Sequence, residues 1–372
     1  MRLGTCIALE LVVAAGAAGG VWFAASRGVA LAHTYLLDPN AEAATLAVPD
    51  GLGHRAGRAL APLVPLERSS LLLAPPAIDT VFGAPDPELL APIATAPLTK
   101  AKLNHGGTSL SMRLEFASGA RAAFKPQQIH PQSDPRREIA AYRVDRLLGI
   151  GHVAPAKSAG FDIDDLVAAV DPANRARVAE RIEDEAIARH GKLYGEVQWW
   201  IPDIKSVRME GQLIDDPEGQ AIWAGYLQAG QAGAAMPPQL QPMLAQIATA
   251  ILFDLLIDNS DRWSGNNTQG SLDGQILYFM DNTLAFSTFT LGHTNNLSKL
   301  YKIQVFPRAL VARMRTLTAD SIAAAIGPDD ELLGPLLTAA EIRAMIARRD
   351  HFLEYIDRLI AELGEDEVLA LP

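Results

Sequence analysis

The stretch Pro242–Asp258, PMLAQIATAILFDLLID, is apolar on most sides of a helix. Such a helix has no face to offer water, so the remaining chain must be built around it. Directly behind it comes NSDRWSGNNTQG, in which Asn259, Ser260, Asp261, Arg262, Ser264, Asn266 and Asn267 follow almost without interruption. A central helix thus delivers carboxylates and amides to its own end. The stretch is either a polar turn or a place for chemistry.

The 372 residues leave room for two domains, or for one two-lobed domain with ample core. With 49% hydrophobic and 20% charged residues, the composition is that of a folded globule. The net charge of −11 argues against nucleic acid as a partner, because binding phosphate backbones needs a basic surface. A local basic pocket for a nucleotide is compatible with it. Cys6 is the sole cysteine, so the folded portion contains no disulfide.

Ile7 to Ala25 carries Glu10 as its one charge and is about as long as a bilayer-spanning helix. Arg2 supplies a positive start, and Ala30-Leu31-Ala32 has the small-x-small form of a signal-peptidase site. For residues 1–35 an uncleaved membrane anchor, a cleaved signal and a buried first helix all remain open. In the first two cases the rest of the chain lies outside the cytoplasm. Residues 36–100 are dense in proline and are expected to form a stalk and wrapping segment with short helices.

Organised structure is expected from residue 101 to 372, with a first lobe over about 101–160 and a second over 161–372. In GGTSLSMRLEFASGARAAFKP, Met112, Leu114 and Phe116 alternate with polar residues, predicting a strand. Ser118-Gly119 turns the chain, and a second strand ends at Lys125-Pro126. Gly106 and Gly107 ahead of the first strand either form a tight turn or let backbone amides approach a phosphate. Lys125 is either an ordinary surface lysine or its phosphate partner. Asp134 and Pro135 then start a helix whose buried stripe is Ile139, Ala140, Val144, Leu147 and Leu148. Glu138 in its first turn either favours the positive helix end or points across to Lys125.

Residues 161–241 read as mostly helical and polar, interrupted by GEVQWWIP, where Trp199 and Trp200 form core or a substrate rim. GQILYFMDN reads as a short strand, Ile276 to Met280, ending at Asp281-Asn282. From Thr290 onward the pattern is a helical layer without a chemical signature.

Asp261 and Asn266 stand five apart after the buried helix, and Asp281 follows at the end of the next strand. This layout suits phosphoryl transfer. That reaction needs a carboxylate beside the attacking hydroxyl and ligands holding a divalent metal against the phosphates. Lys125 would hold phosphates, and Glu138 would orient that lysine or join the metal shell. Asp261 taken alone is equally at home in a turn or helix cap. There is no HExxH zinc pair, no GxSxG elbow and no cysteine nucleophile. A two-carboxylate glycosidase shares the spacing but leaves Lys125 without a task.

Four stretches, GGTSLSMRLEFASGARAAFKP, REIAAYRVDRLLGIGHVAPA, FDLLIDNSDRW and LYFMDN, together resemble the four-jointed and Golgi casein kinase family of secretory-pathway kinases. The resemblance spans roughly Gly106 to Asn282. It implies an α+β, two-lobed, atypical protein-kinase-like fold, with a small β-containing N-lobe and a larger, mostly helical C-lobe. It also implies Asp261 as catalytic base, Asp281 as metal ligand, Lys125 as phosphate ligand and Glu138 as metal or lysine partner. ATP with Mn2+ or Mg2+, and a protein or glycan hydroxyl outside the cytoplasm, follow from the same likeness. Asn266, five residues after the base, is closer to HipA-type and phosphoinositide kinases, where an asparagine there ligates metal. Ser111 stands where the casein kinase branch has a second phosphate-contacting lysine, with Arg113 as a candidate substitute. The alanine-rich composition and the lack of disulfides suggest a bacterial member. The competing expectation is a membrane-anchored pseudokinase serving as a binding scaffold.

Overall fold

A computed structural model describes residues 80–104, 108–230, 235–264, 267–327, 330 and 332–372. The N-terminal apolar segment, most of the proline-dense stretch, Gly106, Gly107 and Asn266 lie outside these described residues.

Helix α1 (Asp86–Thr95) starts behind Pro85, with Pro87 in its first turn, where a missing N–H is harmless. Strands β1 (Leu98–Leu103), β2 (Met112–Phe116) and β3 (Arg121–Pro126) follow as an antiparallel meander. The expected alternation holds, since Met112, Leu114 and Phe116 are buried and Arg113 and Glu115 are not. The turn between β2 and β3 uses Gly119 at φ +83, a conformation other residues avoid. Helix α2 (Pro135–Leu147) begins as expected, the Asp134 side chain accepting from the Arg136 N–H at 3.1 Å.

Residues 156–199 depart from expectation. They supply strand β4 (Ala156–Asp162), helices α3 (Ile163–Ala168) and α4 (Arg175–Glu185), and strand β5 (Lys192–Trp199). The GEVQWW interruption is therefore the body of a strand. It inserts between β3 and β4, giving the order β1-β2-β3-β5-β4 with antiparallel neighbours. Both of its faces are covered near Gly195, Glu196 and Val197, so no polar alternation marks it in sequence. One sheet face, with Met112, Leu114, Phe124 and Val197, packs on Leu166 of α3 and on Val178 and Ile182 of α4. The opposite face carries Lys125 and Glu196 and meets α2.

The second lobe is helical. After α5 (Pro217–Tyr226) comes the central helix α6 (Gln241–Ile257), in which every residue from Ala250 to Ile257 is buried. Burying each such Leu, Ile or Phe contributes about 1.5–3 kcal/mol. Around it pack α7 (Thr294–Leu300), α8 (Arg308–Thr316), α9 (Ala319–Ile326) and α10 (Ala339–Leu363). The stripe of α2 joins this core, with Ile139, Ala140 and Val144 at 0% exposure. A two-lobed α+β architecture thus stands as expected.

The strand expected over Ile276 to Met280 is not one. Its ladder is a single bridge between Leu277 and Gly270. The remaining backbone groups are taken elsewhere: the Leu277 N–H donates to Gln246 Oε1 and the Phe279 N–H to the His152 carbonyl. Side chains and loops replace a partner strand there, which an apolar run cannot announce.

Candidate functional site

Lys125 is the penultimate residue of β3, and its register partner on β5 is Glu196. Directly opposed residues share a face, so both side chains point to the side of the sheet away from α3 and α4. The two strands come close because residue 195 is glycine; a Cβ there would stand 2.2 Å from the Lys125 carbonyl oxygen. From the first turn of α2, Glu138 Oε1 accepts from Lys125 Nζ at 2.6 Å. From the other lobe, Asp281 Oδ1 accepts from the same nitrogen at 2.9 Å. Glu138 therefore does point across, and Lys125 is no free surface lysine.

The electrostatics are uneven. Burial pulls the Lys125 ammonium down, but Asp281, then Glu138 and Glu196, outweigh it and hold the lysine raised and charged. That charge in turn holds Asp281 down at about 2. Glu196 is pushed well above the usual carboxylate range, by burial first and by Glu138 second. Its Oε2 is buried without a hydrogen-bond partner. Sequence reading missed Glu196, whose one signal is a charge inside a run of otherwise small or apolar residues.

The second half of the site hangs from the end of α6. Asp258 closes that helix at φ +58, its carboxylate accepting from the His293 N–H at 2.6 Å and from Asn296 Nδ2 at 3.1 Å. Asn259 is fully buried and works in two directions. Its Oδ1 accepts from the Asp261 N–H at 3.2 Å, and its Nδ2 donates to the Asp281 carbonyl at 3.0 Å. One amide thereby joins the Asp261 loop to the Asp281 segment. Arg262, also at 0% exposure, donates to Asp254, to Asn282 Oδ1 at 2.8 Å and to the Met280 carbonyl. Asn282 Nδ2 then donates to Glu138 Oε2 at 3.2 Å. Asn259, Arg262 and Asn282 were present in the sequence as polar residues beside the site, without roles.

Asp261 itself is half-buried. Its Oδ1 accepts from Ser264 Oγ at 2.7 Å and its Oδ2 from Asn267 Nδ2 at 2.8 Å. Each carboxylate oxygen has a second lone pair, so an incoming hydroxyl can still be accepted. Asp281 takes φ +54, an uncommon conformation that Asp tolerates better than most residues. Ser111 Oγ accepts from Asn104 at 2.8 Å, and Arg113 is engaged by Glu115 at 2.9 Å and by the Trp200 ring at 5.5 Å. Trp199 meets Phe82 edge-on at 5.8 Å, and both tryptophans are half-buried, between core and rim.

Among the described residues, no three His, Cys, Asp or Glu side chains converge as a ready-made metal cage. The donor set nevertheless fits a hard divalent ion. The Asp281 side chain is 43% exposed, Glu138 beside it is a carboxylate, and oxygen donors suit Mg2+ and Mn2+. An ion that arrives with phosphates needs just one or two protein carboxylates.

No protein-family model matches the chain. It is 24% identical over 331 residues to a glycosaminoglycan xylosylkinase of Danio rerio, covering 78% of this chain and 79% of that one. A solved Golgi casein kinase superposes with a TM-score of 0.61 over 76% of this chain and 77% of that chain, at 17% identity. The Golgi casein kinase with Mn/ADP bound gives 0.58 over 76% and 78%, at 16% identity. The fold is thus that of these kinases: a curled-sheet N-lobe and a helical C-lobe.

Proposed function

We propose that this chain is a metal-dependent phosphotransferase that moves the terminal phosphoryl group of ATP to a hydroxyl of a protein or glycan outside the cytoplasm. The observation that carries it is the convergence of Lys125, Glu138 and Asp281 from three elements and both lobes. The likeness to a glycosaminoglycan xylosylkinase and to a kinase solved with Mn/ADP supports the donor, the metal and the acceptor class.

Lys125, held by Glu138, contacts the phosphates together with backbone amides at Gly106 and Gly107. Asp281, with Glu138 and Asn266, would hold Mn2+ or Mg2+. When bound, the ion offsets phosphate charge as it shifts to the leaving group. Asp261 accepts the proton of the attacking hydroxyl, whose oxygen bonds to phosphorus as ADP departs. Ser264 and Asn267 keep that carboxylate aimed. Residues 1–35 act as membrane anchor or signal, 36–100 as stalk and 101–372 as the kinase-like domain. The catalytic domain then sits in a lumen or, for a bacterial chain, the periplasm. Among the described residues no helix is long and apolar enough to cross a membrane.

One observation favours a second function, a binding scaffold without transfer. Both Asp261 oxygens are already engaged inside their own loop. Thermal unfolding of the full chain with ATP and MnCl2, for wild type and Asp281→Ala, tests the nucleotide site that the transferase needs. A ligand that binds the native state raises the midpoint by mass action. A metal-dependent rise lost in Asp281→Ala supports the nucleotide site, and transfer of label from ATP to a hydroxyl acceptor, lost in Asp261→Ala, then separates the transferase from the scaffold; no rise in folded wild type overturns the transferase.

A further inference from the structure

The ladder between β2 and β3 ends at Met112–Phe124, although both chains run on beyond it. At its hairpin end the Phe116 N–H donates to the Ala120 carbonyl. From such a pair, every second pair of an antiparallel ladder exchanges both backbone bonds. Leu114–Ala122 and Met112–Phe124 follow in register, and the next in the series would be Leu110–Pro126. Proline has no N–H to give, so the backbone alone cannot complete that pair. Leu110 is nevertheless at 0% exposure, in the cluster with Met112, Leu114 and Phe124. Its own N–H and carbonyl therefore need partners from elsewhere.

Gln128 supplies them. Its side chain is buried, with Oε1 accepting from the Leu110 N–H at 2.7 Å and Nε2 donating to the Leu110 carbonyl at 2.9 Å. Nε2 also donates to the Pro126 carbonyl at 3.2 Å. One side-chain amide thus replaces the peptide unit that the ladder lacks. Its orientation is fixed, because exchanging oxygen and nitrogen would set N–H against N–H and carbonyl against carbonyl. The backbone around it is anchored as well. The Gln127 N–H donates to the Tyr194 carbonyl at 2.8 Å, the Ile129 N–H to Glu185 at 2.9 Å and the Ile187 N–H to Gln127 at 2.8 Å.

Leu110 closes the stretch that began at Asn104 and carries Gly106 and Gly107. The Asn104 N–H donates to the Ser111 carbonyl at 2.9 Å, and Asn104 Nδ2 to Ser111 Oγ at 2.8 Å, so the two ends of the stretch are clasped. Extending the register by one pair sets Ser111 opposite Lys125 and on the same face. Gln128, three positions after that lysine, therefore decides where the clasped ends stand relative to it. We propose that Gln128 is a positioning residue for the phosphate end of the nucleotide: by holding Leu110 it fixes the footing of the glycine-bearing stretch beside Lys125. It acts through Leu110 and touches no ligand. The inference rests on the phosphotransferase function proposed above.

Isothermal titration of the full chain with Mn–ATP and with Mn–tripolyphosphate, which has phosphates and no base, tests this well below the unfolding midpoint. Gln128→Met keeps the side-chain length and removes both amide groups. Its Kd for the two ligands should rise by the same factor, about tenfold, because ordering the stretch is then charged to binding. In label transfer, KM for ATP should rise while kcat holds, a split that loss of packing alone would not give. Gln127→Met makes the same change next door, where the amide meets Arg189 instead, and should bind like wild type. Asn104→Ala opens the clasp from its other end and should cost about threefold; it carries the test if Gln128→Met does not fold. Folded Gln128→Met that binds like wild type overturns the inference and leaves the phosphotransferase standing, as does a loss for ATP without one for tripolyphosphate. An equal loss in Gln127→Met also overturns it, since the whole strand end has then loosened. Wild type that binds neither ligand overturns the phosphotransferase and this role with it.

Discussion

Arg262 and Lys125 are both enclosed cations, and their surroundings differ in one respect. Arg262 is matched: Asp254 takes its charge, and Asn282 and the Met280 carbonyl take its remaining N–H groups. Nothing around it asks for another ligand. Lys125 is overmatched, with Glu138 and Asp281 bonded to it and Glu196 facing it across the sheet. With Glu196 favoured neutral by burial, one ammonium still faces two carboxylates, a surplus of negative charge that suits the metal and phosphates proposed above. Neutral closure marks the framework and surplus charge marks the working part.

The contrast is sharpest if the framework is broken. Arg262→Ala leaves Asp254 buried and unpaired, so urea unfolding should register a loss of about 3–5 kcal/mol. A loss under about 1 kcal/mol would show that the Arg262 network is not structural. On the working side, Asp261→Ala should lower phosphotransfer about 10²–10⁴-fold while the Mn–ATP thermal shift persists. Turnover near wild type would remove Asp261 from the role of base. The next effect is on pH. Burial pushes Asp254 up from 3.8 to about 6 against the pull of Arg262. A carboxyl raised in the fold is more protonated there than in the unfolded chain, so its contribution declines as pH climbs from about 4 to about 6 and is level above. Comparing unfolding of wild type and Asp254→Asn across that range should expose this slope as a difference; parallel curves would refute it. The smallest change is expected from Glu196→Gln. Burial already favours the neutral carboxyl, so stability at pH 7 should shift by no more than about 1 kcal/mol. A larger loss would mean that Glu196 is ionised and bears on Lys125 directly.

Parts of this arrangement were open to a reader of the sequence because one period dominates them. Met112, Leu114 and Phe116 alternate, α6 is apolar all round, and Asp134-Pro135 is a strong helix start. Each signal is local. The order Lys125, Glu138, Asp261, Asp281 was legible because family resemblance preserves order even where spacing drifts, and the two-lobed fold came with it. Strand β5 was not legible, since Gly195, Glu196 and Val197 are all buried and no side faces water to set a rhythm. Asn259 and Arg262 were misplaced among surface-like polar letters for a related reason. Their burial is created by the Asp281 segment and the partners it brings, which no neighbouring residue announces.

The bond between Lys125 and Asp281 closes across 156 positions of chain, and that between Asn282 and Glu138 across 144. Closing so long a loop costs conformational entropy that local contacts do not, and contacts of this reach form late. The sheet of the first lobe gathers Lys125 and Glu196; the helix bearing Glu138 packs into the core around α6, the same core that carries Asp261 and Asp281. During synthesis the sheet carrying Lys125 and Glu196 can therefore form before the proposed base, Asp261, and the proposed metal ligand, Asp281, have been made. Competence for the proposed transfer would then arrive in one step, when the two lobes dock, and would report that the whole chain has folded.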